Sequence, residues 1–430
     1  MDDPNVLERM RADWNDRAGE DANYFVAFGR REQEEEEFFA TAAPVLKLLE
    51  WDLKRFPGRH AALEIGCGPG RLMRPLARHF QEIHGVDVSD RMIQLARERL
   101  RNTSNAFPHH SSGSDLKPFP GEKFDYVYSY AVFQHIPSAD VVFQYLREAR
   151  RVLKTDGILR CQINGLPATA RQYDTWSGVR ISPEQITAFA REHDFQLLAL
   201  EMIHTQYMWI TFRKRPAGWV RSLAGRRIEP TAAIRSLSNA LTGEAVAPVN
   251  GPLAALSLWM KNLPEECDLN HLTVTVDGLS ARPEYIGVPG NDGVQQVNVR
   301  LPEGLRTGIV PVEAAWLDQP LCPPAWVRII PPGPPVARLM GVTDGVNLLL
   351  ERRTESGCMK VTMMEVPKAA DFRATVDGLA VREIDSFCVD PILLRYEFNF
   401  LLPHGIAKGP HQLRLGVGRH DFPPLSIEVV

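Results

Sequence analysis

The chain predicts an α/β fold, a doubly wound and mostly parallel sheet, followed by an all-β region. Three observations carry this expectation. Strand-like apolar runs alternate with amphipathic helical runs through the first 215 residues, which implies a parallel sheet covered on both faces. A glycine-rich turn, Gly66, Gly68 and Gly70, separates the first such strand from the run behind it, and glycines there let main chain approach a ligand closely. Toward the C-terminus the pattern changes to short alternating strands divided by Asp-Gly and Pro-x-Gly turns, the spacing of β-sandwiches.

The elements follow in order. Residues 5–18 and 31–55 read as helical, and the acidic run Glu34 to Glu37 as a solvated helix face near a helix start. Trp14, Arg17, Tyr24 and Phe25 make a dense patch of large side chains. Ala61 to Ile65 is an apolar strand with Glu64 inside it, and Leu72, Met73, Leu76 and Ala77 recur at helical spacing beyond the glycines. Such a strand, turn and helix aims free helix-start N–H groups at whatever binds. Gln81 to Val88 reads as the next strand, closing on Asp87. Ser89-Asp90 caps a helix whose apolar face is Met92, Ile93, Leu95, Ala96 and Leu100. Ser111 to Lys117 is a loop, Phe124 to Tyr130 a strand, and Asp140 to Leu153 a helix. Asp156-Gly157 turns into a strand over Ile158 to Ile163; Glu184 to His193 is the last helix, and Gln196 to Phe212 holds two closing strands.

Spacing decides the ligand. A dinucleotide fingerprint needs glycines at its first, third and sixth positions. Counted from Gly66 the sixth is Arg71, and from Gly68 it is Met73, both bulky. No Gly-Lys-Ser/Thr follows, so a P-loop is ruled out as well. Asp87 lies about 20 residues past the glycines, the usual place of a carboxylate that grips ribose hydroxyls.

The acid-x-Gly-x-Gly-x-Gly pattern of Glu64 to Gly70 resembles motif I of class I S-adenosylmethionine-dependent methyltransferases. Val132-Phe133-Gln134-His135-Ile136-Pro137 and Arg151-Val152-Leu153-Lys154-Thr155-Asp156-Gly157 are similar to later segments of that family, with Asp156 in place of its usual glycine. The resemblance covers residues 1–215. It implies a Rossmann-like seven-stranded sheet closed by an antiparallel hairpin, an N-terminal helical lid, and S-adenosyl-L-methionine as cofactor. It also implies roles. Glu64 faces the ligand's ammonium group, and Gly66, Cys67, Gly68 and Gly70 make room for its amino-acid and sugar portions. Asp87, with Val88 and Met92, holds the ribose. Asp115 and Leu116 hold adenine, and Tyr130 completes the set. Cys67 packs rather than attacks, since no basic neighbour supports a thiolate.

Methyl transfer needs alignment above all, because the sulfonium is already activated. An alcohol or phenol acceptor would gain from a general base. His135 is the candidate, and a pocket-shaping histidine is the equal alternative. Tyr173, Trp176, Arg180, His204, Gln206, Tyr207 and Trp209 are candidates to line the acceptor site, aromatics near polar groups suiting a sugar or aromatic metabolite. The Asn/Asp-Pro-Pro-Tyr/Phe signature of base N-methylation is missing, with Ser129-Tyr130-Ala131-Val132 in its place. The leading expectation is O-methylation of a small hydroxylated acceptor, with a glycan or glycolipid unit as one candidate. A binding or scaffolding protein that keeps the cofactor fold as a sensor is the reading from another class. An NAD-dependent oxidoreductase is disfavoured by Arg71 and Met73.

The 430 residues carry 49 Lys+Arg against 53 Asp+Glu, a net charge of −4 that gives no case for nucleic acid. No stretch has the apolar length of a membrane span, and Met1-Asp2-Asp3-Pro4 is no secretory leader. Six scattered cysteines without a Cys-x-x-Cys pair indicate neither a zinc site nor a disulfide framework, so a cytoplasmic protein is expected.

Residues 216–252, with Arg221, Arg226, Arg227 and Trp219, read as a linker. Beyond it lies a duplication. Thr275-Val276-Asp277-Gly278-Leu279 recurs as Thr375-Val376-Asp377-Gly378-Leu379, and the Leu301-Pro302-Glu303-Gly304 block recurs as Leu402-Pro403-His404-Gly405. Two ordered blocks about 100 residues apart predict a repeated module, residues 253–333 and 334–430, joined by a stiff hinge at 331–335. The copies resemble immunoglobulin-like IPT/TIG modules, with targets the sequence does not name.

Overall fold

Alternation of apolar and polar runs becomes alternation of layers. The computed structural model describes residues 5–27, 31–169, 173–229, 231–333, 336–390 and 393–430. It divides into two compact units, Met1–Ala22 with Leu48–Pro331, and Asn23–Lys47 with Pro332–Val430. The Met1-Asp2-Asp3-Pro4 segment and Pro334-Pro335 of the expected hinge lie outside the described residues. Among the described residues no helix is long and apolar enough to cross a membrane.

Helix α1 (Val6–Ala27) is interrupted at Asp21, whose φ of −164° and ψ of 90° are not helical. α2 (Glu35–Ala40) and α3 (Ala43–Asp52) follow. Strand β1 (Ala61–Ile65) is buried at every position. The helical run after the glycine turn shortens to α4 (Met73–Leu76) and a 3-10 turn over Ala77–His79. β2 (Glu82–Asp87) leads into α5 (Asp90–Arg99), where the Ser89 side chain accepts from Met92 N–H as the sequence predicts. β3 (Ala106–His110), β4 (Phe124–Ser129), α6 (Ala139–Val152), β5 (Leu153–Ile163), α7 (Pro183–Glu192), β6 (Phe195–Glu201) and β7 (Met208–Lys214) complete the alternation.

These strands lie in the order β3-β2-β1-β4-β5-β7-β6, all parallel except β7. The order reverses between β1 and β4, and a crevice at the carboxyl ends of the strands opens at such a switch point. One face of the sheet packs an apolar core of Leu63, Ile65, Val127, Phe133, Leu146, Leu159, Ile210 and their neighbours. The opposite face is unusual: Glu64, Tyr128, Arg160, Gln162 and Thr211 are all buried on it.

The sheet does not end at the hairpin. β6 is extended by β12 (Leu279–Ile286) through the pairing of Ala199 with Tyr285. The expected linker 216–252 is corrected by α8 (Trp219–Ser222), β8 (Ala233–Asn239) and β9 (Val246–Pro248). Trp219 and Leu223 sit in the core of the β region that follows, and β8 pairs with β10 (Ala255–Lys261). Scattered Arg, Ser and Gly residues hid these strands, because their pairing is made by backbone and only part of each side is covered.

The first module comprises β8, β9, β10, β11 (Leu272–Val276), β12, β13 (Val294–Arg300), β14 (Gly308–Trp316), β15 (Gln319–Pro320) and β16 (Ala325–Ile330). It forms two layers, β8-β10-β13-β12 and β12-β11-β14-β16-β9, around one core that includes Leu258, Val274, Val297, Val312 and Trp316.

The second unit repeats this strand for strand. β17 (Arg338–Asp344), β19 (Cys358–Met364), β23 (Arg395–Leu401) and β22 (Arg382–Asp390) form one sheet. β18 (Arg353–Thr354), β26 (Leu425–Val429), β24 (Gly409–Val417), β20 (Phe372–Val376) and β21 (Leu379–Ala380) form the other, with β25 (His420–Asp421) at its side. Phe372 and Phe398 stack across the shared core at 3.9 Å. Even the parallel pairing of β9 with β16 recurs, as β18 with β26. The Asp-Gly turns Asp277-Gly278 and Asp377-Gly378 both have positive φ at both residues, the requirement of a two-residue hairpin turn. The duplicated unit therefore begins at β8 in the first copy, ahead of the boundary expected at 253, and at β17 in the second, within the span 334–430 expected from sequence.

Candidate active site

The glycine turn is built by strand ends. Gly66 and Cys67 both donate their N–H to Val86 O, at 2.7 and 3.0 Å, which ties the end of β1 to the end of β2. Gly66, Gly68 and Gly70 take φ of 73°, 50° and 86°, the left-handed region that favours glycine. A Cβ on Gly66 would land on the methyl groups of Val132.

Asp87 shapes the same turn. Its Oδ2 accepts from Gly68 N–H at 2.9 Å and its Oδ1 from Ser89 N–H at 2.9 Å. Burial raises its pKa against those hydrogen bonds. Glu64 is 3% exposed, and Tyr128 O–H donates to its Oε2 at 3.0 Å. Desolvation lifts the Glu64 carboxyl to about 8, with Tyr128 and the buried Arg71 pulling the other way. Two acids, Glu64 buried and Asp87 partly so, thus flank the turn, and desolvation works against the charge of each. A ligand bearing a positive charge suits them, since it restores the ionised form that burial disfavours.

The remaining expected cofactor residues fall around this centre. Cys67 is buried, and desolvation with the nearby acids pushes its thiol well up, so it is no nucleophile. Met92 is buried on α5 and Val88 directly follows Asp87. Leu116 is fully buried, and its N–H is taken by Glu148 Oε2 at 3.0 Å. The Asp115 carboxylate meets Lys117 Nζ at 2.9 Å. Tyr130 stacks on Trp209, with ring centroids 5.8 Å apart, and the Arg71 guanidinium lies 5.5 Å from the Tyr130 ring.

His135 sits in a second cluster, on the 3-10 turn Phe133–His135. Its Nδ1 faces Trp176 O at 3.0 Å, so that nitrogen carries the proton and donates. Trp14 of α1 meets the imidazole edge-on at 5.4 Å, and the Trp176 ring lies 6.0 Å away. Arg17 spans Trp14 and Trp176 at 4.7 and 5.3 Å and donates to Thr175 O and Oγ1. Asp13 accepts from Thr175 Oγ1, and Asn15 accepts from Ser89 Oγ at 2.7 Å. One face of α1 therefore closes on the loop after β5 and on the start of α5. Tyr24 and Phe25, placed with Trp14 and Arg17 by sequence proximity, fall in the other unit. Desolvation lowers the His135 pKa to about 4, with the nearby Arg17 adding to the depression.

The expected acceptor residues separate. Trp176 joins His135, whereas Trp209 joins Tyr130. Tyr173 packs against the apolar core, its hydroxyl accepting from Thr169 N–H, and Arg180 donates to Pro167 O. His204, Gln206 and Tyr207 occupy the β6–β7 turn, where Met202 and His204 have φ of 55° and 66°. Sequence reading missed Tyr128 and Gln162. The Glu64–Tyr128 register pairing would have flagged the first, had the register been known.

A doubly wound sheet with a glycine turn and a strand-end acid at its switch point defines a nucleoside-type cofactor domain. Comparison with known proteins narrows the class. Residues 63–161 match the family model described as a methyltransferase domain. The ubiquinone biosynthesis O-methyltransferase of Cereibacter sphaeroides is 33% identical over 99 residues, 23% of this chain and 39% of that protein. The protein of that name from Brucella ovis is 24% identical over 176 residues, 37% of this chain and 66% of its own length. The chain thus spans about two fifths to two thirds of the curated relatives it matches. Among solved structures, phosphoethanolamine N-methyltransferase 1 of Haemonchus contortus aligns with a TM-score of 0.38 at 14% identity, over 53% of this chain and 52% of that one. Residues 63–161 are thus similar to methyltransferase domains, a class whose cofactor is S-adenosylmethionine.

Proposed function

We propose that this protein transfers the methyl group of S-adenosylmethionine to an oxygen of a small hydroxylated acceptor. The observation that carries the reading is Asp87, held by Gly68 and Ser89 N–H groups at the mouth of a glycine turn that also borders the buried Glu64. Asp87 would take the ribose hydroxyls, Glu64 the ammonium group, and Gly66, Cys67, Gly68 and Gly70 the space between. Val88, Met92 and Tyr130 would border the sugar, and Asp115 with Leu116 the adenine. The cofactor supplies an electrophilic methyl group; the chain's residues align the acceptor and exclude water.

His135 is assigned a positioning role on the acceptor side. Its Nδ1–H is spent on Trp176 O, and a conjugate acid near 4 makes it a weak proton acceptor at neutral pH. Trp176, Tyr173, His204, Tyr207 and Trp209 would border the acceptor. The names of the curated relatives favour an oxygen as the acceptor atom, and a phenol or a saccharide or glycolipid hydroxyl is the candidate group. The two β modules, each a pair of sheets on one core, are read as immunoglobulin-like IPT/TIG modules that bind a partner. Six free thiols suit a cytoplasmic setting.

Titration of wild type and Asp87→Ala with S-adenosylhomocysteine, followed by transfer of labelled methyl into a metabolite extract, tests the reading. Binding that Asp87→Ala weakens, together with labelled product, supports it. Binding without transfer would favour a sensor or scaffold.

A further inference from the structure

We propose that Gln162 is the residue that reads the acceptor's hydroxyl, its side-chain carbonyl taking the hydrogen bond which no protein group supplies. This inference rests on the methyltransferase reading above and deepens it. Gln162 is 3% exposed, and its Oε1 is buried without a hydrogen-bond partner among the described residues. Buried side-chain carbonyls are nearly always satisfied, and leaving one bare costs free energy that a fold tolerates where a ligand will supply the donor.

The position fits that use. In register, β4 Ser129 stands beside β5 Cys161, and β5 Gln162 beside β7 Trp209. Tyr130 directly follows Ser129 at the end of β4, and Trp209 is the β7 neighbour of Gln162. Those two rings stack on each other at 5.8 Å with planes 20° apart. In the row two residues deeper on the same face come Glu64, Tyr128, Arg160 and Thr211. Gln162 is thus one row nearer the carboxyl-end crevice than the Glu64–Tyr128 pair. An acceptor ring seated against Trp209 would direct a hydroxyl at this side-chain carbonyl.

Most neighbouring polar groups are engaged elsewhere, although Arg160 Nε makes no hydrogen bond among the described residues. Arg160 donates to Glu201 Oε2 at 3.1 Å and to Thr211 Oγ1, and its guanidinium lies 4.5 Å from the Trp209 ring. Tyr128 O–H is given to Glu64. Asn164, just past the end of β5, donates to Ser177 O and accepts from Leu166 N–H. None of these bonds ends on Gln162 Oε1, which leaves that acceptor open to a hydroxyl supplied by a ligand.

Gln162→Met preserves shape and removes the bare side-chain carbonyl. The expected result is a rise in thermal midpoint of about 2 °C or more, unchanged affinity for S-adenosylhomocysteine, and a rise in acceptor KM of about tenfold or more with kcat less affected. Caffeate, methyl glucoside and a metabolite extract serve as acceptors. The thermal arm needs no acceptor at all. A midpoint that falls would mean the amide is satisfied in the free protein, and an unchanged KM with an active enzyme would mean it reads nothing; either overturns the inference. Failure of the wild type to bind S-adenosylhomocysteine would instead remove the methyltransferase reading, independently of Gln162.

Discussion

Asp87 and Gly68 are joined by a 2.9 Å hydrogen bond from the glycine N–H to the carboxylate, so the acid ending β2 also sets the shape of the turn ending β1. Asp87→Ala deletes this bond and the one from Ser89 N–H. Each buried donor left without a partner costs about 1–3 kcal/mol, and the ribose loses its carboxylate as well. The expected outcome is a fall of at least tenfold in S-adenosylhomocysteine affinity by calorimetry, with a lower thermal midpoint. Unchanged affinity would place the cofactor elsewhere.

Glu64 gives the site a pH signature. Its folded pKa of about 8 lies above the ordinary 4.5, so between those values the folded state holds a proton that the unfolded chain has lost. Stability of the free protein therefore declines as pH rises from about 4.5 to 8. A ligand ammonium favours the ionised carboxylate, so cofactor binding should release a proton, and affinity should rise with pH up to about 8. Glu64→Gln should flatten both dependences. Calorimetry in two buffers of different ionisation enthalpy measures the proton directly, and proton uptake on binding would contradict the assignment.

For Gly66 the turn leaves no room. With φ at 73° and Val132 methyls where a Cβ would stand, Gly66→Ala combines backbone strain of about 1–3 kcal/mol with overpacking. Adding Val132→Ala should recover the overpacking part only. Denaturant unfolding of the single and double variants separates the two, and full recovery in the double variant would show that the dihedral costs nothing.

His135 titrates in the opposite sense to Glu64. Its folded pKa of about 4 lies below the ordinary 6.5, so as pH falls through that window the unfolded chain takes up a proton first and stability is lost. The rate profile between about pH 5 and 8 should carry no limb that His135→Asn abolishes. A limb near neutrality that vanishes in the variant would restore the histidine as general base.

Much of the first sheet was legible because local pattern and burial agree there. The run Ala61 to Ile65 is apolar and is buried throughout, and Ser89 caps its helix as its type predicts. Asp87 could be placed from chain position alone, at the end of β2 beside the glycine turn. Gln162 and Tyr128 could not, since their importance depends on which strands become neighbours and on which face each residue falls. The same limit hid β8 and β9. Arg235, Ser236 and Ser238 do not announce a strand, and only pairing with β10 makes one.

The first β module is continuous with the cofactor sheet, and this has a consequence for where the chain can be cut. Gln196 of β6 donates to Glu265 O and Cys267 O at 2.7 and 2.9 Å, and Arg55 donates to Ile286 O at 2.9 Å. Leu269 N–H reaches Leu197 O at 2.9 Å, and Trp51 Nε1 donates to the Tyr285 hydroxyl. Ending the chain at Arg215 removes the acceptors of Gln196 Nε2 and Arg55 Nη1, at about 1–3 kcal/mol for each buried group, and bares the β6 edge. Against a typical stability of about 5–15 kcal/mol that loss is severe. A fragment ending at Pro331 keeps every one of these contacts. The shorter fragment should melt well below the longer one or collect in the insoluble fraction, as circular dichroism and recovery after lysis would measure. Equal midpoints would mean that the cofactor domain stands without its β neighbour.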